Sequence, residues 1–107
     1  MNELMLADYS HLIDLAEDRS SGCMSRVRVF FKNGWQLSIV RGLYSYGGPD
    51  GLFEAMPINA DLPDYFDIDD ETQNREPIGY MSIADVNALI LKIGSLAPAK
   101  TMLENLA

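Results

Sequence analysis

The stretch Met24-Ser25-Arg26-Val27-Arg28-Val29-Phe30-Phe31-Lys32-Asn33-Gly34-Trp35-Gln36-Leu37-Ser38-Ile39-Val40-Arg41 decides the fold. Two β-rich runs flank Lys32-Asn33-Gly34, so the segment reads as a hairpin. A two-residue Asn-Gly turn would set Phe31 opposite Gln36 and Val29 opposite Ser38, mixing polar and apolar side chains on both faces. A three-residue loop with Gly34 left-handed in a G1 bulge instead sets Phe31 against Trp35, Val29 against Leu37 and Val27 against Ile39. One face then carries Val27, Val29, Phe31, Trp35, Leu37 and Ile39, and the other Arg26, Arg28, Phe30, Gln36, Ser38 and Val40. A one-residue slip would exchange the core and solvent faces, so burial selects the bulged register.

Upstream, Tyr9, Leu12, Ile13 and Ala16 fall at i, i+3, i+4 and i+7, which predicts an amphipathic N-terminal helix ended by Ser20-Ser21-Gly22. Downstream, Leu52 to Ile58 reads as a third strand and Pro77 to Met81 as a short fourth. Asn59 to Glu76 reads as loop, with Leu62, Tyr65, Phe66 and Ile68 as anchors to the core. Ser82, with Asp85 three residues on, forms a capping box opening a C-terminal helix over 82–93, where Ile83, Val86, Ile90 and Ile93 recur at helical spacing before Gly94. Pro98 opens a last short helix carrying Met102, Leu103 and Leu106. The expected fold is therefore α+β: an antiparallel sheet of three to four strands packed against an N-terminal and a C-terminal helix.

The chain has 107 residues, which suits a single domain over 1–107. Hydrophobic residues make up 48% and charged residues 22%, the balance of a globular chain and not of a disordered one. No apolar run approaches a membrane span, the N-terminus lacks a basic n-region, and the lone Cys23 cannot close an internal disulfide. These features predict a cytoplasmic protein with no membrane partner. The net charge is −8 and unevenly placed. From Asp50 to Glu76 nine acids (Asp50, Glu54, Asp61, Asp64, Asp67, Asp69, Asp70, Glu71, Glu76) face Arg75 alone, so this stretch carries the whole −8. Arg19, Arg26, Arg28, Lys32 and Arg41, by contrast, follow one another with no acid between them. An acidic loop over about 59–76 would attract basic partners and repel nucleic acid; the alternative reading is a solvated loop that keeps the protein soluble.

Chemistry-bearing residues are sparse. One histidine, His11, between Asp8 and Asp14, and one cysteine, Cys23, exclude a His-pair or multi-thiolate metal site. Cys23 reads as a small half-buried packing residue, and a Cys-His nucleophile pair would need the two to meet in space. Asp67-Ile68-Asp69-Asp70-Glu71 has calcium-loop character, but it lacks the glycine at position 6 and has Ile78 at position 12. The glycine-rich stretch Arg41 to Gly51 lacks the Lys-Ser/Thr of a phosphate-binding loop. It holds Tyr44 and Tyr46 beside Arg41, and Tyr and Arg are the residue types that dominate interface hot spots. No metal, cofactor or catalytic set is expected.

Arg41-Gly42, Tyr44-Ser45-Tyr46-Gly47-Gly48-Pro49 and Gly51-Leu52-Phe53-Glu54, preceded by Phe31-Lys32-Asn33-Gly34-Trp35, resemble small uncharacterised phage and prophage proteins. The likeness extends over roughly residues 25 to 95, through Ile78-Gly79-Tyr80-Met81 and the capped helix. Taken with the small size, the cytoplasmic character, the absence of a catalytic set and the concentrated acidic segment, it implies a non-enzymatic accessory protein that binds a host protein with a basic surface in the bacterial cytoplasm, for instance as an anti-defence, anti-CRISPR-like inhibitor. Candidate contact residues are Arg41, Tyr44, Tyr46, Asp64, Asp67, Asp69, Asp70 and Glu71. The alternative is nucleic-acid binding through Arg26, Arg28 and Lys32 with Phe30, which the sequence pI of about 4.3 disfavours. Homodimerisation through a sheet edge or the apolar C-terminal tail is a further expectation.

Overall fold

The computed structural model describes Leu4, residues 6–59 and residues 78–96. Five strands run as an antiparallel meander in the order β1 (Ile13–Asp18), β2 (Met24–Phe31), β3 (Trp35–Gly42), β4 (Phe53–Asn59) and β5 (Ile78–Met81). One α-helix, α1 (Ile83–Gly94), and two short 3-10 helices, Leu6–Tyr9 and Gly48–Asp50, complete the described elements. The expected sheet of three to four strands between two helices is thus corrected to five strands with one α-helix.

The hairpin adopts the register that burial selects. Val27 pairs Ile39 and Val29 pairs Leu37, and Gly34 sits at φ 90° with its N–H donated to the Phe31 carbonyl at 3.0 Å. β3 continues into β4, with Leu37 opposite Pro57 and Ile39 opposite Ala55. Alternation then sorts the side chains cleanly. Val29, Leu37, Ile39 and Ala55 are fully buried, and Phe31, Trp35 and Phe53 nearly so. Opposite them, on the other face of the sheet, three rows cross the strands. They are Leu15–Phe30–Gln36–Ile58, Glu17–Arg28–Ser38–Met56 and Arg26–Val40–Glu54.

The buried face is covered by α1, whose Val86, Ile90 and Ile93 are fully buried against it. The helix begins at the expected capping box: Ser82 Oγ accepts from the Asp85 N–H, and the Asp85 carboxylate accepts from the Ser82 N–H, both at 3.1 Å. Its C-terminus is tied to the hairpin turn. Asn33 Nδ2 donates to the carbonyls of Ile93 (2.8 Å) and Leu96 (3.2 Å), while Asn33 Oδ1 accepts from the Trp35 N–H (3.1 Å). The turn residue of one element is therefore the C-terminal cap of another.

The N-terminal helix is the other correction. The 3-10 helix Leu6–Tyr9 ends the helical structure there, and Ile13 to Asp18 pairs with β2 as an edge strand. Ile13 opposes Phe31 and Leu15 opposes Phe30, so Asp14 is the extra residue of a bulge. Leu12, in the preceding turn, and Ile13, the first residue of the strand, both pack against the core, which is why they mimic a helical period. Ser20-Ser21-Gly22 is hairpin turn and not helix stop. Ser21 and Met24 exchange backbone hydrogen bonds at 3.0 Å across Gly22, at φ 57°, and Cys23. Cys23 accordingly lies exposed at a turn tip, not half-buried in packing. Leu62, Tyr65, Phe66, Ile68, Met102, Leu103 and Leu106 lie outside the described residues, as do Asp64, Asp67, Asp69, Asp70 and Glu71.

Candidate functional site

The β3–β4 connection makes a rigid corner from residues with little intrinsic stiffness. Ser45, buried, folds back on the end of β3: its hydroxyl accepts from the Gly42 N–H at 3.0 Å and donates to the Gly42 carbonyl at 3.1 Å. Gly47 turns the chain at φ 86° into the 3-10 helix Gly48–Asp50, and its carbonyl accepts the N–H groups of Asp50 and Leu52 at 3.0 Å. A side chain at Gly48 would strike the Gly42 carbonyl, so the loop closes on itself only with glycine there.

This corner holds Tyr44 and Tyr46 outward, at 80% and 58% exposure. Fixing the backbone while freeing the rings is the arrangement of a pre-organised contact, in which little ordering entropy is left to lose. Glu54 braces the base by accepting the Tyr46 N–H at 3.2 Å. Arg41 is placed differently. It shares the helix-side face of β3 with Leu37 and Ile39, and its guanidinium lies 4.6 Å from the centroid of the buried Phe53 ring. Arg41 thus packs on the core beneath the corner while the tyrosines project from it.

A third tyrosine joins them. The Tyr80 N–H donates to the Tyr46 carbonyl at 3.1 Å, docking β5 against the loop, and Tyr80 is 65% exposed. Tyr80 sits at φ 56° and is the non-glycine residue with positive φ among the described residues. Such a conformation costs on the order of 1–3 kcal/mol and persists only where its surroundings impose it. Here the clamp is visible: a Cβ on Gly79 would collide with Tyr46 Cβ, and one on Gly47 would stand 2.9 Å from Tyr80 Cα. In the sequence Tyr80 belongs to a short strand and to the Ile78-Gly79-Tyr80-Met81 stretch of the resemblance, and not to the candidate contact residues. The neighbouring Gly79 was the available signal, because a glycine inside a strand marks close approach of another backbone.

On the open face, Tyr44 overhangs a groove of about 430 Å³ lined by Met24, Arg26, Ser38, Val40, Glu54 and Met56 as well. Arg26 is exposed, and Lys32 stands exposed on the hairpin turn. Arg28 is half-buried and donates from Nη1 to Gln36 Oε1 at 3.0 Å, while its Nε is buried without a hydrogen-bond partner. Burial first, then the positive charges of Arg19 and Arg26, loosen its hold on its proton, and Glu17 opposes them. Arg19 pairs with Glu17 at 2.7 Å and rests 5.7 Å from the Phe30 ring centroid.

The two nucleophile-class residues are kept apart. Cys23 adjoins the start of β2 and His11 precedes β1, so antiparallel pairing sets them at opposite ends of a hairpin about 20 Å long. Among the described residues no group of three or more His, Cys, Asp or Glu side chains could hold a metal ion. No helix among them is long and apolar enough to cross a membrane. No protein-family model, no curated protein and no solved structure matches this chain.

Proposed function

We infer that this chain is a non-enzymatic accessory protein that acts by binding another protein, with the Tyr44–Tyr46–Tyr80 corner as its principal contact. The observation that carries the reading is the combination of a tightly hydrogen-bonded backbone with three tyrosines that are each more than half exposed. Large apolar rings normally recover about 1.5–3 kcal/mol by burial, so a fold that clamps three of them outward supports burial against a partner. Asp50, exposed on the 3-10 helix, and Glu54 at its base give the corner an acidic surround suited to a partner with a basic surface. The phage character and the finer role, an anti-CRISPR-like inhibitor of a bacterial host protein, rest on the sequence resemblance. The acidic segment, with Asp64, Asp67, Asp69, Asp70 and Glu71, would add long-range attraction to the same partner.

Affinity capture from bacterial lysate, run in parallel with wild type and the Y44A/Y46A/Y80A triple variant at low and high salt, tests the reading. One protein retained by the wild type, released by salt and lost with the triple variant is the expected result. Retention unchanged by the triple variant would move the contact elsewhere. Nucleic acid in the eluate, removable by nuclease, would transfer the function to Arg26, Arg28 and Lys32.

A further inference from the structure

Antiparallel sheets covered on one side usually turn a polar face to water. The open face of this sheet does not conform. Phe30, Val40, Met56 and Ile58 occupy it, half-buried, between polar residues. Three arginines gather on and beside it: Arg19 over the Phe30 ring, Arg28 in the next row and Arg26 in the row beyond. Arg19 has Glu17 as its ion-pair partner, but the Arg26 guanidinium makes no ion pair or hydrogen bond with another described residue. Arg28 keeps a buried Nε donor without a partner. The two carboxylates of this face are engaged, Glu17 with Arg19 and Glu54 with the Tyr46 N–H. Arg26 and Arg28 therefore stand on an apolar floor without a carboxylate partner among the described residues, which an incoming carboxylate group would supply.

We propose that this face docks an acidic amphipathic helix of a partner protein, apolar side chains on Phe30, Val40 and Met56 and carboxylates toward Arg26 and Arg28. The dimensions agree. From Met24 to Phe30 the strand rises about 20 Å at roughly 3.3 Å per residue, the length of about 13 helical residues. The helix already on the opposite face has 12 residues, so the partner would complete a helix–sheet–helix sandwich. Nucleic acid fits less well. The chain carries −8 overall, and Phe30, the aromatic ring of this face, already lies beneath Arg19. The proposal goes beyond the tyrosine corner, and its test leaves Tyr46 and Tyr80 in place.

The test titrates the ¹⁵N-labelled full chain with a synthetic helical peptide of about 14 residues, leucine on one face and glutamate elsewhere. The same peptide with lysine for glutamate and a thymidylate oligomer of similar length are run beside it. The expected result is binding of the glutamate peptide alone, with amide shifts on Arg26, Arg28, Ser38 and Val40 and not on α1. Its affinity should fall about tenfold with added salt, and at least tenfold in R26E/R28E, which in turn should gain the lysine peptide. The salt series on the wild type stands even if that variant fails to fold. Equal binding of both peptides, shifts mapping to α1 or to Tyr46 and Tyr80, or tighter binding of the oligonucleotide would overturn the proposal. So would no binding at millimolar peptide, or a free protein that tumbles as a dimer through this face.

Discussion

Replacing Asn33 tests how the sheet and helix are joined. Three hydrogen bonds depend on this side chain: Nδ2 to the Ile93 carbonyl at 2.8 Å and to the Leu96 carbonyl at 3.2 Å, and Oδ1 from the Trp35 N–H at 3.1 Å. Each contributes a net of about 1 kcal/mol, which sets a ceiling of about 3 kcal/mol for Asn33→Ala. The site is only part-buried, so water can reach the freed carbonyls, and a loss of about 2 kcal/mol is expected. For a chain of this size that lowers Tm by roughly 8–16 °C. The sharper variant is Asn33→Asp, which keeps the acceptor for the Trp35 N–H and removes the donor to the helix. It also sets a carboxylate against the negative end of α1, so at pH 7 it should destabilise at least as much as alanine. Urea unfolding followed by Trp35 fluorescence measures both, with the midpoint shifting and the slope unchanged. If aspartate were neutral, or alanine cost less than about 0.5 kcal/mol, the hairpin turn would not be capping the helix.

Other positions give independent readings. Gly79→Ala drives a methyl into Tyr46 Cβ and should cost about 1–3 kcal/mol in thermal unfolding, with chemical-shift changes concentrated on Tyr46 and Gly47. At Tyr80, with φ 56°, glycine should leave the protein about 1 kcal/mol more stable than alanine does, the reverse of the order found in an ordinary strand. Asp18 titrates below the usual aspartate range because the Ser20 hydroxyl and the Ser20 N–H, at 2.8 Å, favour its charged form. A carboxyl depressed on folding adds stability that is present above its unfolded pKa and lost as pH falls through the folded one. The stability difference between wild type and Asp18→Asn should therefore shrink on acidification below the usual aspartate range, and ¹³C titration of the Asp18 carboxyl should show the low midpoint directly.

The hairpin was legible because its two faces differ. Only one register puts Val27, Val29, Phe31, Trp35, Leu37 and Ile39 together, and that is the pairing observed around Gly34. The capping box at Ser82 and Asp85 was legible for a similar reason, since the two hydrogen bonds are local and need nothing from the rest of the chain. β1 was not. Leu12 packs on the core from the turn and Ile13 from the first position of the strand, and the Asp14 bulge then breaks the two-residue alternation that would have announced a strand. Its stability as a strand comes from pairing with β2, a non-local contribution that a helical period in one short segment cannot report. The tyrosine corner was half legible. Tyr44 and Tyr46 stood out by composition, but their grouping with Tyr80 depends on the Tyr80-to-Tyr46 backbone hydrogen bond between segments more than thirty residues apart.

The charge map changes meaning once the fold is known. Among the described residues Asp8, Asp14, Glu17, Asp18, Asp50, Glu54 and Asp85 oppose Arg19, Arg26, Arg28, Lys32, Arg41 and Lys92, seven acids against six bases, a net of −1. The remaining −7 of the chain's −8 therefore falls in the other residues. The sheet itself is then nearly neutral but unevenly lettered, with acids along the β1 edge and arginines on the open face. Antiparallel self-pairing of β1 would set acid near acid, which works against dimerisation through that edge. The open face carries both signs, but Glu17 is paired with Arg19 and Glu54 accepts the Tyr46 N–H, which leaves Arg26 and Arg28 among apolar side chains. Screening separates the two kinds of attraction: past about 8 Å at physiological ionic strength the field of the −8 is largely damped, so steering by net charge acts mainly at low salt, whereas Arg26 and Arg28 act on what lies directly against them. A partner that met both proposals would be basic overall and present one acidic helix, and its association rate would then fall with salt.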